Sequence, residues 1–190
     1  MSNLIGENAI FDKIDFSVSP LKEGEYESCT FKGCNFSNSD LSNFIFTNCE
    51  FVGSNLSLAK LDNTSLKTVS FLNCKLLGLD FSYCNPFLLT FIFEACLMNM
   101  TSFHKLKMKA TVFKDCELRE ADFTGTDLSF SNFKNCDLGN AIFINSGLEK
   151  VDFRTAFNFS IDPEVNRIKN AKFSRLGIVG LLDKYHIEIE

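Results

Sequence analysis

Eight cysteines, two histidines and a surplus of carboxylates are the residues of this 190-residue chain whose chemistry could define a function. Cys34, Cys74, Cys96, Cys116 and Cys136 recur at about twenty residues or twice that, a spacing that could align thiols for metal binding or redox exchange. The arrangement argues against both, because the chain has no Cys-x-x-Cys pair and neither His104 nor His186 lies at ligand spacing from a thiol. A thiol is also a compact hydrophobe suited to a tight interior slot, and that reading is preferred. No nucleophile-His-carboxylate set, phosphate loop or metal spacing is present, so the protein reads as non-enzymatic, with no catalytic residue, metal or cofactor. What remains is charge. Asp15, Asp40, Glu50, Asp80, Glu117, Asp122, Asp137 and Asp152 each stand immediately before a large apolar residue, and they are the candidate partner surface.

The elements that would position these carboxylates follow from a skewed composition, Phe 22 with Trp 0, which points to one aromatic slot used many times. From Phe11 a large apolar residue returns every five positions, through Phe16, Leu21, Tyr26 and Phe31 to Phe81. The next slot is Pro86. From Leu88 the period resumes with a shift of two, through Phe93, Met98 and Phe103 to Phe153. A period of five is neither 3.6 nor 2, so the chain must turn a corner every five residues. Two residues before most slots sits a small side chain (Cys29, Cys34, Ser54, Ala59, Cys74, Cys96, Ala121, Cys136), read as pointing inward with the large one. Asn35, Asp40, Asp122, Asp137 and Asp152, between them, are read as pointing out.

The pentads Ala-Asp-Phe-Thr-Gly from Ala121, Cys-Asp-Leu-Gly-Asn from Cys136 and Ser-Asp-Leu-Ser-Asn from Ser39 resemble the pentapeptide-repeat family over roughly residues 9 to 157. The resemblance implies an all-β fold, a right-handed quadrilateral parallel β-helix with four pentads per coil. Stacking slots about twenty apart, with Leu88 in the place of Pro86, gives one face of Phe11, Phe31, Phe51, Phe71, Phe93, Phe113, Phe133 and Phe153, a core ladder without exception. About seven coils at roughly 4.8 Å give a rod near 34 Å long. The expected division is a β-helix over 1–157, with a two-residue phase break near 85–87, and a C-terminal cap and possible dimerisation segment over 158–190. In that tail Asp162-Pro163-Glu164 reads as a turn and Ala171-Lys172-Phe173 as a last pentad. Ser174 is expected to cap a short helix to about Lys184, with Leu176, Val179, Leu182 and Tyr185 on one side as candidate cap or dimer residues, and Ile187-Glu188-Ile189 to form a strand.

A basic row, Lys32, Lys114, Lys134 and Arg154, runs beside the Phe ladder, and around the phase break the outward positions turn apolar. Leu72, Phe87, Leu89, Ile92, Leu97 and Met100 form an alternative binding patch. Lys and Arg number 19 against 24 Asp and Glu, a net charge of −5, which excludes a basic polyanion binder and hence direct nucleic-acid binding. The first residues lack an export signal and no run approaches the roughly 18 apolar residues of a membrane span, so a cytoplasmic protein with reduced thiols is expected. The tail from Ile161 to Ile168, with Leu176-Gly177-Ile178-Val179 beyond it, resembles the Qnr-type quinolone-resistance and microcin-B immunity subgroup. That resemblance implies a homodimer through the C-terminal end that imitates duplex DNA before DNA gyrase or topoisomerase IV. The rival expectation is a rigid interaction scaffold that uses the apolar patch.

Overall fold

The computed structural model describes residues 4–189. Its corners explain the five-residue period. Two positions after most core residues the backbone enters the left-handed region, as at Asn38, Asn43, Asn48, Asn73, Asn135 and Asn140, with Gly33, Gly53 and Gly125 at others. Asn and Gly tolerate that conformation best, which is why they recur there. Each such corner redirects the chain, and backbone amides then bond coil to coil: Phe36 N donates to Asn55 O at 2.6 Å, and Asn55 N donates to Cys34 O at 2.9 Å.

The extended stretches form strands β1 (Leu4–Glu7), β2 (Ile10–Asp12), β3 (Glu25–Glu27), β4 (Thr30–Lys32), β5 (Ile45–Thr47), β6 (Glu50–Val52), β7 (Ser65–Lys67), β8 (Val69–Leu72), β9 (Phe91–Glu94), β10 (Val112–Lys114) and β11 (Asn132–Lys134). All pair in parallel with the next coil, β2, β4, β6, β8, β9, β10 and β11 in one sheet and β1, β3, β5 and β7 in another. The two remaining faces are joined by isolated parallel bridges, one through Asp15, Asn35, Asn55, Lys75, Leu97, Glu117, Asp137 and Phe157, the other including Asp80, Ser102, Asp122 and Ile142. The fold is thus the expected four-sided parallel β-helix of about seven turns.

Inside, Phe11, Phe31, Phe51, Phe71, Phe93, Phe113, Phe133 and Phe153 stack ring on ring. Centroid separations run from 4.7 Å (Phe113 on Phe133) to 5.3 Å (Phe71 on Phe93), with interplanar angles from 3° to 13°. Phe173 adds a further rung at 5.4 Å. A second ladder, Phe81, Phe103, Phe123 and Phe143, stacks across the core and meets the first edge-on. Each buried ring contributes about 1.5–3 kcal/mol through burial, and each well-oriented pair about 0.5–1.5 kcal/mol more.

The phase break is resolved differently from the sequence reading. Phe71 pairs with Phe93, so the coil is longer by two residues, but Leu88 does not occupy a core slot: it is 62% exposed at a left-handed corner, φ 60°. Phe91 instead enters the core among Phe71, Phe81 and Phe93, and Leu89 packs inward beside Lys67. The reason is that Phe91 continues the first phase, five residues after Pro86, while Phe93 begins the second. Both rings fit because Leu88 stays out of the core.

The tail also departs from expectation. Ser174 does cap, its Oγ accepting from Gly177 N at 2.9 Å. The chain then makes two 3-10 turns, Gly177–Leu181 and Asp183–Tyr185, rather than an α-helix. Gly177 and Gly180 lie flat on Phe159, and a Cβ at Gly180 would stand 2.1 Å from Phe159 O. This close approach turns Leu181 inward and leaves Leu176 (90% exposed), Val179 and Tyr185 facing out, with Leu182 half-buried. Ile187 to Ile189 form no strand.

Candidate partner-binding surface

The thiols belong to the interior. All eight are buried and unpaired. The small inward position carries a donor for a carbonyl of the coil below: Cys74 Sγ reaches Phe51 O at 3.3 Å and Cys96 Sγ reaches Phe71 O at 3.2 Å, while Ser54 Oγ in the same column reaches Phe31 O at 2.9 Å. Burial pushes the Cys49 thiol up to about 11, so it is a poor nucleophile and ligand at neutral pH. Among the described residues no group of three His, Cys, Asp or Glu is placed to hold a metal ion.

The candidate carboxylates serve the fold before they serve a partner. Six of the eight accept the backbone N–H two residues on: Ser17 N on Asp15 at 3.0 Å, Ser42 N on Asp40 at 3.0 Å, Ser82 N on Asp80 at 2.9 Å, Thr124 N on Asp122 at 2.8 Å, Gly139 N on Asp137 at 3.1 Å and Arg154 N on Asp152 at 3.0 Å. These Asx turns explain why a short acid or amide stands before so many core slots. Sequence reasoning overlooked this role, although the Ser, Thr or Gly two residues after Asp15, Asp40, Asp80, Asp122 and Asp137 was its signal. Asp137 does not point into solvent. Arg119 Nε at 2.6 Å and Asn158 Nδ2 at 2.9 Å cover it, leaving 4% exposed. Burial works against its charge, but those hydrogen bonds outweigh burial and hold its carboxyl below the ordinary 3.8.

Nor do the carboxylates stack into continuous rows. At coil spacing Asp40 neighbours Lys60, Asp80 neighbours Ser102, Asp122 neighbours Ile142, and only Glu117 and Asp137 place two candidate acids side by side. Glu50 is half-buried between Thr30 and Ser70. The basic row is interrupted in the same way: Lys32 neighbours Val52, and Lys114 is bonded to Glu94.

The alternative patch is divided among the faces. Leu72 and Leu97 are half-buried on different sides, Met100 is a separate corner, and Leu89 is turned in. A more coherent strip lies along one edge. Phe87 (64% exposed) and Leu88 lead into the strand of Ile92, Ile92 pairs with Val112, and Phe130 (56% exposed) occupies the next corner, with Lys150 Nζ 4.7 Å from its ring centroid. Apolar side chains reach solvent at Leu58, Leu88, Met100 and Phe130 because these are left-handed corner positions. A groove of about 800 Å³ beneath the tail is lined by Arg119, Arg154, Asn158 and Phe159, but its guanidiniums are already bound to Asp137 and Asp152.

An interior given over to stacking, with its variable residues outside, defines a repeat solenoid that offers surfaces rather than an enclosed pocket. The chain belongs to the pentapeptide-repeat family: a model of the pentapeptide repeat region matches residues 25–91 and a model of eight pentapeptide repeats matches residues 121–157. Among solved structures, a trypsin-treated variant of QnrB1, a plasmid-mediated fluoroquinolone resistance protein, is similar with a TM-score of 0.59 and 18% identity, covering 100% of both chains. A second trypsin-treated QnrB1 variant follows at 0.50 and 18%, covering 100% of this chain and 99% of that one. HetL from the cyanobacterium Nostoc, a pentapeptide-repeat protein of heterocyst differentiation regulation, gives 0.33 and 16%, covering 89% and 86%. No curated protein matches the sequence. Among the described residues no helix is long and apolar enough to cross a membrane.

Proposed function

We propose that this protein is a non-catalytic binding rod that holds a partner protein along its side. The observation that carries this reading is the exposed edge strip of Phe87, Leu88, Ile92, Val112 and Phe130 on a rigid, fully stacked core. A type II topoisomerase, DNA gyrase or topoisomerase IV, is the partner class to test first. It is supported by the end-to-end likeness in fold to a fluoroquinolone resistance protein. A supercoiling assay with and without a fluoroquinolone, titrating the protein at two salt concentrations, tests both parts. Contact through the strip predicts an effect that survives salt and is lost in Ile92→Asp and Phe130→Asp. Contact through carboxylates predicts one that fades with salt and is lost in Glu50→Lys and Glu117→Lys. No effect at micromolar protein removes the topoisomerase and leaves the rod to be tested by cross-linking from the strip. The segment 158–190 is proposed as a cap that also pairs two copies, since Leu176 stands 90% exposed at that end. Leu176→Asp should then give a monomer in light scattering, and an unchanged oligomeric state would refute the pairing.

A further inference from the structure

The two ends of the rod are finished differently. At the C-terminal end the tail folds over Phe159, and Phe173 closes the ladder. At the other end both sheets stop together: β1 and β2 are the outermost strands of their sheets, and among the described residues no strand pairs with their far edges. Phe11 stacks on Phe31 by one ring face only and is half-buried, whereas Phe31 is 0% exposed. Around it Leu4, Ile10 (74%), Ile14 and Val18 (81%) are exposed. Unpaired edge strands accept another strand readily, and natural proteins often guard them with charge.

The charge here is mainly negative. Residues 1–27 hold six acids (Glu7, Asp12, Asp15, Glu23, Glu25 and Glu27) and two bases, while the other 163 residues hold eighteen acids and seventeen bases. Nearly all of the net charge therefore sits on the first coil and on β3, the strand of the second coil that pairs with β1. Two copies brought edge to edge would repel each other, but a basic segment would be drawn in. We propose that this end is a docking site for an extended basic segment of another polypeptide, added as one more strand beyond β2. Its backbone would bond to the free edge of Ile10–Asp12. The neighbouring columns define what the strand must carry: an aromatic or large apolar residue over Phe11, an apolar residue beside Ile10 and a Lys or Arg beside Asp12. Asp12 already has Lys32 as its in-register neighbour on the inner side.

The test uses the full chain and a fluorescein-labelled synthetic peptide with a central Ile-Phe-Lys flanked by lysines. Two controls accompany it, a scrambled peptide of the same composition without that triplet and one with Glu for Lys. Saturable anisotropy is expected with the first peptide alone, weakening about tenfold in Ile10→Lys or Asp12→Lys, while Asp183→Lys at the far end changes nothing. Both edge residues are exposed, so these variants should keep the parent melting curve, which is checked by circular dichroism. Equal binding of the scrambled peptide reduces the site to diffuse charge and overturns the proposal, as does binding indifferent to both edge variants or no binding. A dimer that the edge variants dissociate would also overturn it, in favour of a second copy.

Discussion

The coils before the inserted loop and those after it share one interior and differ in how they treat charge. Residues 1–90 hold ten acids and six bases, residues 91–190 fourteen and thirteen. Among the described residues every Lys or Arg ion pair lies at Glu94 or beyond: Lys114 with Glu94, Lys109 with Asp127, Arg119 with Asp137, Arg154 with Asp152, Arg167 with Glu149 and Lys184 with Asp162 and Glu164. Among the described residues the carboxylates of the early coils form no ion pair, although Lys60 stands beside Asp40 and Lys32 beside Asp12, and these coils show extended strands on two faces. In the later coils strands persist on one face only. The lesson is that inward stacking fixes neither the local backbone nor the surface field. A charge-led partner would meet the early coils, and the later ones are largely self-neutralised.

The largest effects should come from the shared core, and they sharpen the comparison because position along the rod matters more than residue type. Phe113→Asp places a carboxylate between two fully stacked rings, and Phe113→Ala alone should cost about 3–5 kcal/mol in urea unfolding. Phe11→Ala at the open end should cost clearly less. Equal losses would mean that the first coil is as enclosed as the sixth. Next comes Gly180→Ala, whose methyl would meet Phe159 O. The tail should lift, with a loss of about 1–3 kcal/mol and faster proteolysis after residue 174, while the β-sheet circular dichroism stays.

A smaller effect separates the two regions by acid response. The folded state holds Asp137 and Asp152 below the ordinary 3.8, for Asp152 chiefly through its bonds from Arg154. Such groups stabilise fully above pH 3.8, and the contribution disappears as pH falls through their folded values. Asp137→Asn should therefore flatten the loss of stability between about pH 4 and pH 2 and cost about 1–3 kcal/mol at neutral pH. An unchanged acid limb would show that Arg119 does not hold this carboxylate in solution. Smallest of all, Arg167→Ala and Lys109→Ala in the exposed pairs should each shift stability by about 0–1 kcal/mol, less in high salt.

The period of five, the Phe ladder and the inward cysteines were legible because each depends on residue size repeated at fixed spacing, and the four-sided coil came from the resemblance to the pentapeptide-repeat family. The fate of Leu88 was not, since Phe91 satisfied one phase and Phe93 the other and only packing could choose between them. The tail was misread because Leu176, Val179 and Tyr185 suggested a helix face. Gly177 and Gly180 are there for a flat approach to Phe159, which periodicity cannot report. The carboxylates were located correctly before the core slots, yet their Asx-turn role hid in residues two positions away. Phe87 and Ile92 were placed in the apolar patch from the sequence, but their continuation to Phe130 was not legible, because it runs from coil to coil.

The two extra residues between β8 and β9 have a consequence for how such a molecule can vary over generations. Phe71 and Phe93 stack at 5.3 Å and 10° as though the coil were of normal length. The Phe ladder therefore keeps its register whatever the length of the surface segment between Cys84 and Leu89. Most insertions or deletions elsewhere would throw every later side chain out of step, whereas here a length change is absorbed by a surface loop at a slowly growing entropic cost. In a chain otherwise locked to multiples of five, this is the place where inheritance can alter length without rewriting the rest.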